Sequence, residues 1–258
     1  NTVIITAEKK DKTIIKTIQS SLNQTNKNLE IIVAYSKFKD ENKIKKNINS
    51  KKVIFFKIKK KLKNKVRDQL FKIEQSLKIS KGRNIFLLDG DDIFNKKKVE
   101  IISKIINNRE IMILDNYFTI SNNAKFKNKI MNHKKNYFYK RFINDWPKNV
   151  CTSAISIERK LLFKFFKEIK ISKYKYLAID ILLAIYCNRG GKLLRVNKFF
   201  TNKIELSDSV DKNYVGYDNR LYWHRRLEQH RYNFFIKKKS YFNFDFLISY
   251  ILSFLFRI

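Results

Sequence analysis

Three carboxylates crowd one short stretch of the chain: Asp89, Gly90, Asp91 and Asp92 follow directly on the apolar run Ile85, Phe86, Leu87 and Leu88. Like charges this close repel. A hard cation such as Mg²⁺ or Mn²⁺ would offset the repulsion, since it takes oxygen ligands and shares them with the phosphates of a substrate. The place suits that chemistry, because ligands of open α/β sheets gather at the carboxyl ends of strands. On pattern alone the same residues also read as an Asp-Gly turn in which Asp92 or Asn95 caps the next helix. Other chemistries lose their signatures. The five glycines, at 82, 90, 190, 191 and 216, form neither GxGxxG nor a Walker loop. There is no GxSxG elbow and no HExxH helix, and His224 and His230 on a predicted helix read as exposed or packed side chains. Cys151 and Cys187 lack metal-ligand spacing, which argues against a zinc site or a disulfide framework and for the cytosol as compartment.

Short β-branched runs alternating with amphipathic stretches supply the elements that must hold these aspartates. Residues 3–6 predict a strand. Asp11 is placed to cap a helix whose Ile14, Ile18 and Leu22 recur at four-residue spacing and so share a face. Strands follow at 29–35, 53–57 and 84–88, separated by helices at about 40–49 and 64–80. Such alternation implies parallel strands joined by right-handed crossovers in a sheet covered on both faces, the α/β class. Beyond Asp92, Asn95 is a candidate cap for a helix carrying Val99, Ile102 and Ile106, and residues 111–114 read as a further strand. Residues 116–149 are polar, aromatic and Lys-rich with little period, which predicts a loop region over a binding cleft. Residues 150–157 read as extended, 158–168 as helical, and 177–188 as a helix closed by Gly190 and Gly191.

Composition narrows the class. With 44% hydrophobic and 14% aromatic residues the 258-residue chain can bury a sizeable core, which excludes disorder. Its net charge of +34 would suit nucleic acid or an anionic membrane surface. The lysines are spread along the whole chain, however, whereas nucleic-acid binders concentrate charge and favour Arg, so a nucleic-acid partner is disfavoured. The end of the chain stands apart: Lys237, Lys238 and Lys239 precede an almost wholly apolar run at 241–258. At about 27 Å as a helix that run falls short of a roughly 30 Å hydrocarbon core. Residues 1–236 are thus expected to form one domain, and 237–258 a basic and apolar segment associating with an anionic membrane face or packing on that domain.

Order and spacing of four segments carry a resemblance. VIIT at 3–6, SLNQTNKNLEIIV at 21–33, GRNIFLLDGDDIF at 82–94 and LAIDILLAIYCNRGG at 177–191 resemble, in sequence, motifs of the family 2 glycosyltransferases. The resemblance implies a GT-A-like nucleotide-binding sandwich with a mostly parallel central sheet flanked by helices. It implies inverting transfer from a nucleoside-diphosphate sugar to a glycan or lipid-linked acceptor, in envelope polysaccharide or glycolipid synthesis on the inner face of the cell membrane. Asp89 and Asp91 match the DXD motif, so Asp91 would hold Mn²⁺ or Mg²⁺ and Asp89 would lie by the ribose or a metal-bound water. Asp180 matches the general base. Nucleotide contacts would come from Thr6, Ala7 and Glu8 at the first strand end, from Gly90, and from Arg67 as the Arg of the middle helix. The chain has Thr6 where the family usually has Pro, and Tyr35 and Ser36 in place of an acidic residue, so Tyr35 is expected to stack on a pyrimidine. Ile179 replaces the Glu that often precedes the base. The altered base-binding positions also fit a GT-A-like module that binds a glycan or membrane without catalysis.

Overall fold

The computed structural model describes residues 1–8, 11–121, 124–129, 147, 149–205, 214, 216–237 and 243–255. Its first half follows the expected alternation: β1 (Thr2–Ala7), α1 (Asp11–Leu22), β2 (Glu30–Tyr35), α2 (Glu41–Asn47), β3 (Val53–Lys57), α3 (Lys65–Ile79) and β4 (Asn84–Asp89). β1 pairs in parallel with β2 and β4, and β2 in parallel with β3. The order β3-β2-β1-β4 means that the chain winds outward to β3 and then α3 carries it back to the far side of β1. The carboxyl ends of β1 and β4 therefore flank a topological switch point, the crevice where such sheets take ligands.

Side chains alternate between the sheet's two faces. Ile4, Ile85 and Leu87 pack with Leu70, Ile73 and Leu77 of α3, while Val3, Ile5, Phe86 and Leu88 pack with Ile14 and Ile18 of α1. Each such side chain withdrawn from water contributes about 1.5–3 kcal/mol. Helix ends follow local chemistry. Asn64 Oδ1 accepts from the Arg67 N–H at 2.9 Å to cap α3, and Asp40 Oδ1 accepts from Lys43 N–H at 3.2 Å to cap α2.

The second half comprises β5 (Ile93–Phe94), α4 (Lys98–Ile106), β6 (Met112–Ser121), β7 (Ala124–Asn128), β8 (Ile155–Glu158), α5 (Arg159–Glu168), α6 (Ile179–Arg189), β9 (Leu193–Ile204), α7 (Arg220–Lys237) and α8 (Phe244–Leu255). β8 inserts antiparallel between β4 and β6, β9 runs parallel to β6, and β5 closes the edge antiparallel to β9. The sheet is thus parallel throughout its first half and mixed in its second, with helices on both faces.

Two local expectations change. Part of the segment expected as loop, residues 116–121 and 124–128, is strand: Tyr117 and Phe118 pair with Thr201 and Asn202 of β9, and the Phe118 ring stacks on Phe199 at 4.6 Å. Its β-forming residues find a partner in a strand too far along the sequence for local pattern to reveal, and residues 130–146 lie outside those described. Asn95 is not the cap of α4. That position is Lys97, and Asn95 Oδ1 accepts from the Lys97 N–H at 3.1 Å, just ahead of the helix. Asp11 opens α1, but its side chain is outside those described. At the end of α6 the double glycine performs as expected: Gly190 is the C-cap and Gly191 adopts φ +65°, a conformation L side chains rarely take.

Within the apolar run the described residues 244–255 form a helix of 12 residues, α8, packed on α7, and residues 241–242 and 256–258 of that run lie outside those described. No helix among the described residues is long and apolar enough to cross a membrane.

Candidate active site

A cavity of about 220 Å³ opens at the switch point. Its walls take Thr6 and Glu8 from the end of β1, Asp89 with Gly90, Asp91 and Asp92 from the end of β4, and Asp180 from the first turn of α6. Six of the residues singled out from sequence thus meet in one place: Thr6, Glu8, Asp89, Gly90, Asp91 and Asp180.

Asp89 and Asp92 are individually anchored. Asp89 Oδ1 accepts from Gln69 Nε2 at 2.6 Å and from Thr6 Oγ1 at 3.2 Å, and its backbone N–H donates to Ser153 Oγ at 3.0 Å. Ser153 Oγ in turn donates to Asp92 Oδ2 at 2.6 Å, and the Ile204 N–H donates to Asp92 Oδ1 at 2.8 Å. Between them Gly90 donates its N–H to the Thr6 carbonyl at 2.9 Å and accepts from Thr17 Oγ1 at 3.0 Å. A Cβ at position 90 would sit 3.1 Å from both the Thr6 carbonyl oxygen and Ala7 Cα, so β1 and the acidic turn close up because residue 90 has no side chain. Burial, and then the charges of Asp92 and Asp91, push the Asp89 carboxyl well above the usual carboxylate range. Burial and the Asp91 charge push Asp92 up to about 7, against the opposing bonds from Ser153 and Ile204. The same burial, helped by Asp92, raises the Cys151 thiol, which keeps it protonated and unsuited to nucleophilic work.

Beneath the turn lies a buried ion pair. Lys98 Nζ is 2.7 Å from Asp115 Oδ1, both side chains being 0% exposed. The ammonium also donates to the Ser153 carbonyl at 2.6 Å and to Thr201 Oγ1 at 2.9 Å. Burial lowers the Lys98 pKa and raises that of Asp115, with their mutual attraction opposing both shifts. The pair ties α4, β6 and β9 to Ser153, and through it to Asp92 and Asp89. A second buried pair, Lys72 with Asp68 at 2.7 Å, points the Lys72 ammonium at the Ala7 carbonyl, 2.9 Å away. Cations also line the cavity: Lys65, Lys203 and Arg225, the last with its guanidinium 4.5 Å above the Tyr214 ring.

Three residues singled out from sequence sit elsewhere. Ala7 is buried and contributes its backbone carbonyl to Lys72. Tyr35 is 1% exposed, stacked on Phe38 at 4.2 Å and donating its hydroxyl to Glu41 at 2.7 Å, so its ring faces are not open to a base. Arg67 holds backbone: its Nε donates to the Tyr174 carbonyl at 3.4 Å and its Nη2 to that of Ser172. It acts together with a residue that sequence reading did not single out. Glu228 of α7 accepts from the N–H groups of Lys175 and Tyr176, each at 2.6 Å, and of Leu177 at 2.9 Å. Arg67 and Glu228 therefore pin the segment that leads into α6 and Asp180. Gln69, Ser153 and Lys98 also escaped notice. For Lys98 a signal existed, since a lysine on the same stripe as Ile102 and Ile106 must find a buried counter-charge.

Comparison with known proteins agrees with this architecture. No curated protein sequence matches the chain. The crystal structure of S. aureus TarS 1-349 in complex with UDP superposes with a TM-score of 0.63 at 11% identity, covering 98% of this chain and 69% of that one. The same protein in complex with UDP-GlcNAc superposes with a TM-score of 0.60 at 12% identity, covering 97% and 72%. At these identities the likeness establishes the fold. The sequence itself matches the model of glycosyl transferase family 2 over residues 2–166, well over half of its length, and the chain belongs to that family.

Proposed function

We propose that this family 2 glycosyltransferase moves a sugar, with inversion, from a nucleoside-diphosphate donor to a hydroxyl of a glycan or lipid-linked acceptor, in the building of envelope polysaccharide or glycolipid. The observation that carries the proposal is the meeting of Asp89 and Asp91 with Asp180 in one cavity at the switch point. Thr6, Glu8 and Gly90 line the side on which the nucleotide would lie, and Lys65, Lys203 and Arg225 supply positive charge for the diphosphate. The S. aureus TarS complexes with UDP and UDP-GlcNAc make uridine nucleotides the first donors to try.

Asp180 is assigned the general base. It sits in the first turn of α6, where the partial positive charge of the helix end favours a carboxylate. It removes the acceptor hydroxyl's proton as that oxygen attacks the anomeric carbon, the bond to the diphosphate breaks on the opposite side, and the bonding pair leaves with the diphosphate. Lys203 and Arg225 offset the charge that develops on the leaving group.

The donor set fits a divalent cation. Among the described residues no three His, Cys, Asp or Glu side chains form a ready-made cage. Asp91 and Asp89 provide oxygen donors under mutual repulsion, and Mg²⁺ or Mn²⁺ characteristically takes one or two carboxylates and completes its shell with substrate phosphates and water. When bound, the cation would neutralise charge building on the diphosphate. Melting curves with a panel of nucleoside diphosphates, with and without Mn²⁺, test the reading. One nucleotide should raise the melting temperature chiefly when the cation is present. If every nucleotide leaves it unchanged in both conditions, the donor site is not here.

A further inference from the structure

The last helix is built inside out, whereas α7 buries Leu227, Tyr232 and Ile236 in the ordinary way. The residues α8 buries are polar: Asp245, Ser249 and Ser253 recur every four residues along one stripe, beside which the Phe246 ring meets His230 of α7 edge-on at 5.7 Å. Asp245 accepts from Arg226 Nε at 3.1 Å and Nη2 at 2.7 Å, and His230 Nε2 lies 3.4 Å away. Ser249 and Ser253 donate to the Asp245 and Tyr250 carbonyls of their own helix, at 2.7 and 2.8 Å. The opposite stripe is apolar and faces outward, with Phe244 63%, Ile251 46% and Leu255 59% exposed. Phe234 and Phe235 of α7 are 51% and 50% exposed. A helix docked on a soluble core presents the reverse pattern, and exposed apolar surface of this kind marks an interaction site.

We propose that this helical hairpin seats the enzyme on an anionic lipid bilayer, lying in the interface rather than crossing it. At about 1.5 Å per residue α8 is roughly 18 Å long, well short of a ~30 Å hydrocarbon core. Phenylalanine, isoleucine and leucine are the side chains that enter the acyl boundary from an interfacial helix, while basic residues meet the headgroups. Arg231 is exposed one turn before Phe234 and Phe235, and Lys237, Lys238 and Lys239 join the two helices in sequence. Charge decides between lipid and a second copy of the chain. Self-association through this face would bring two chains of net charge +34 together, whereas an anionic headgroup layer is complementary to that charge. Because α7 carries Arg225 at the cavity and Arg226 at the hairpin, the seat and the cavity share one helix.

The test uses the full chain and needs no nucleotide, so it is independent of the donor reading. Flotation is measured with phosphatidylcholine vesicles and with phosphatidylcholine–phosphatidylglycerol vesicles, for wild type and for the double substitution Phe235→Glu with Ile251→Glu. Both positions are exposed, so an unchanged melting temperature verifies that the variant is folded. Wild type should float with the anionic vesicles at ~0.1 M salt and weaken at ~1 M, where the Debye length shrinks to ~3 Å. The variant should lose at least ~tenfold in partitioning. As an independent readout, Ile251→Trp should show a blue-shifted emission on adding anionic vesicles. The proposal is overturned if wild type fails to float, if the variant floats equally, or if wild type is a dimer in solution that the variant turns into a monomer.

Discussion

Replacing Glu228 by Gln probes how the proposed base, Asp180, is held in place. The carboxylate accepts three backbone N–H groups, two on Oε2 from Tyr176 and Leu177 and one on Oε1 from Lys175. A glutamine carbonyl can keep the pair, but its NH₂ then confronts a third N–H, donor against donor. Hydrogen bonds to a charged group are worth about 1.5–3 kcal/mol and neutral ones about 0.5–1.5 kcal/mol, so one bond is lost and two weaken. Burial acts the other way. It pushes the Glu228 carboxyl above the usual range, so neutralising the group returns part of the desolvation cost. The net expectation is a loss of about 1–3 kcal/mol, or a melting temperature lower by roughly 2–10 °C for a chain of this size. Loosening residues 175–177 should also displace Asp180, lowering kcat by about tenfold or more while donor affinity, which rests on β1 and β4, is kept. Calorimetry and steady-state turnover read both effects. A variant that melts with wild type and turns over at the same kcat would refute the clamp. The sign with pH follows as well: because the folded pKa is raised, wild-type stability should fall as pH climbs from the ordinary carboxylate range through that raised value, and the Gln variant should lack this slope.

Asp180→Asn keeps the shape but cannot accept a proton, so acceptor-dependent turnover should drop by about 10²–10⁴ with donor binding intact; a fall below about tenfold removes Asp180 as base. Lys98→Met leaves Asp115 charged and unpaired in a fully buried site, and urea denaturation should show a loss of about 3–5 kcal/mol, with Lys98→Met/Asp115→Leu recovering much of it. Burial alone would raise the Asp245 carboxyl, yet bonds from His230 and Arg226 hold it at about 2. A depressed folded pKa means that this stabilisation is complete above the ordinary carboxylate pKa of about 4 and disappears as pH falls through about 2. Emission from Trp223 on α7 should report the loosening over that window, and Asp245→Asn should flatten it.

What could be read from the sequence was whatever local pattern dictates. Strands β1 to β4 announce themselves by runs of Ile, Val, Leu and Phe, and the acidic turn by its place after β4, so Asp89, Asp91 and Asp92 are legible in local pattern, whereas Asp180 is marked only by the resemblance of its helix to a family motif. The β6–β7 hairpin and β9 were not, because Asn, Lys and Phe alternate there without a clean period and the pairing of Tyr117 with Thr201 spans a long stretch of chain. Tyr35 and Arg67 show the other limit. Residue type suggested ligand contacts, but Tyr35 is taken by Phe38 and Glu41 in the core, and Arg67 by the carbonyls of a distant segment. Glu228 was invisible for the same reason: its three partners are backbone N–H groups, which leave no mark in side-chain spacing.

The claim that the switch-point cavity binds a cation-bridged nucleoside diphosphate is tested most directly by titration calorimetry on wild type and Asp91→Asn, using the diphosphate that most stabilises the protein, with and without Mn²⁺. Wild type should bind at least ~tenfold more tightly with the cation, a difference of about 1.4 kcal/mol, and Asp91→Asn should lose that gain while melting no lower than wild type. Equal cation-dependent tightening in the two proteins would contradict the account.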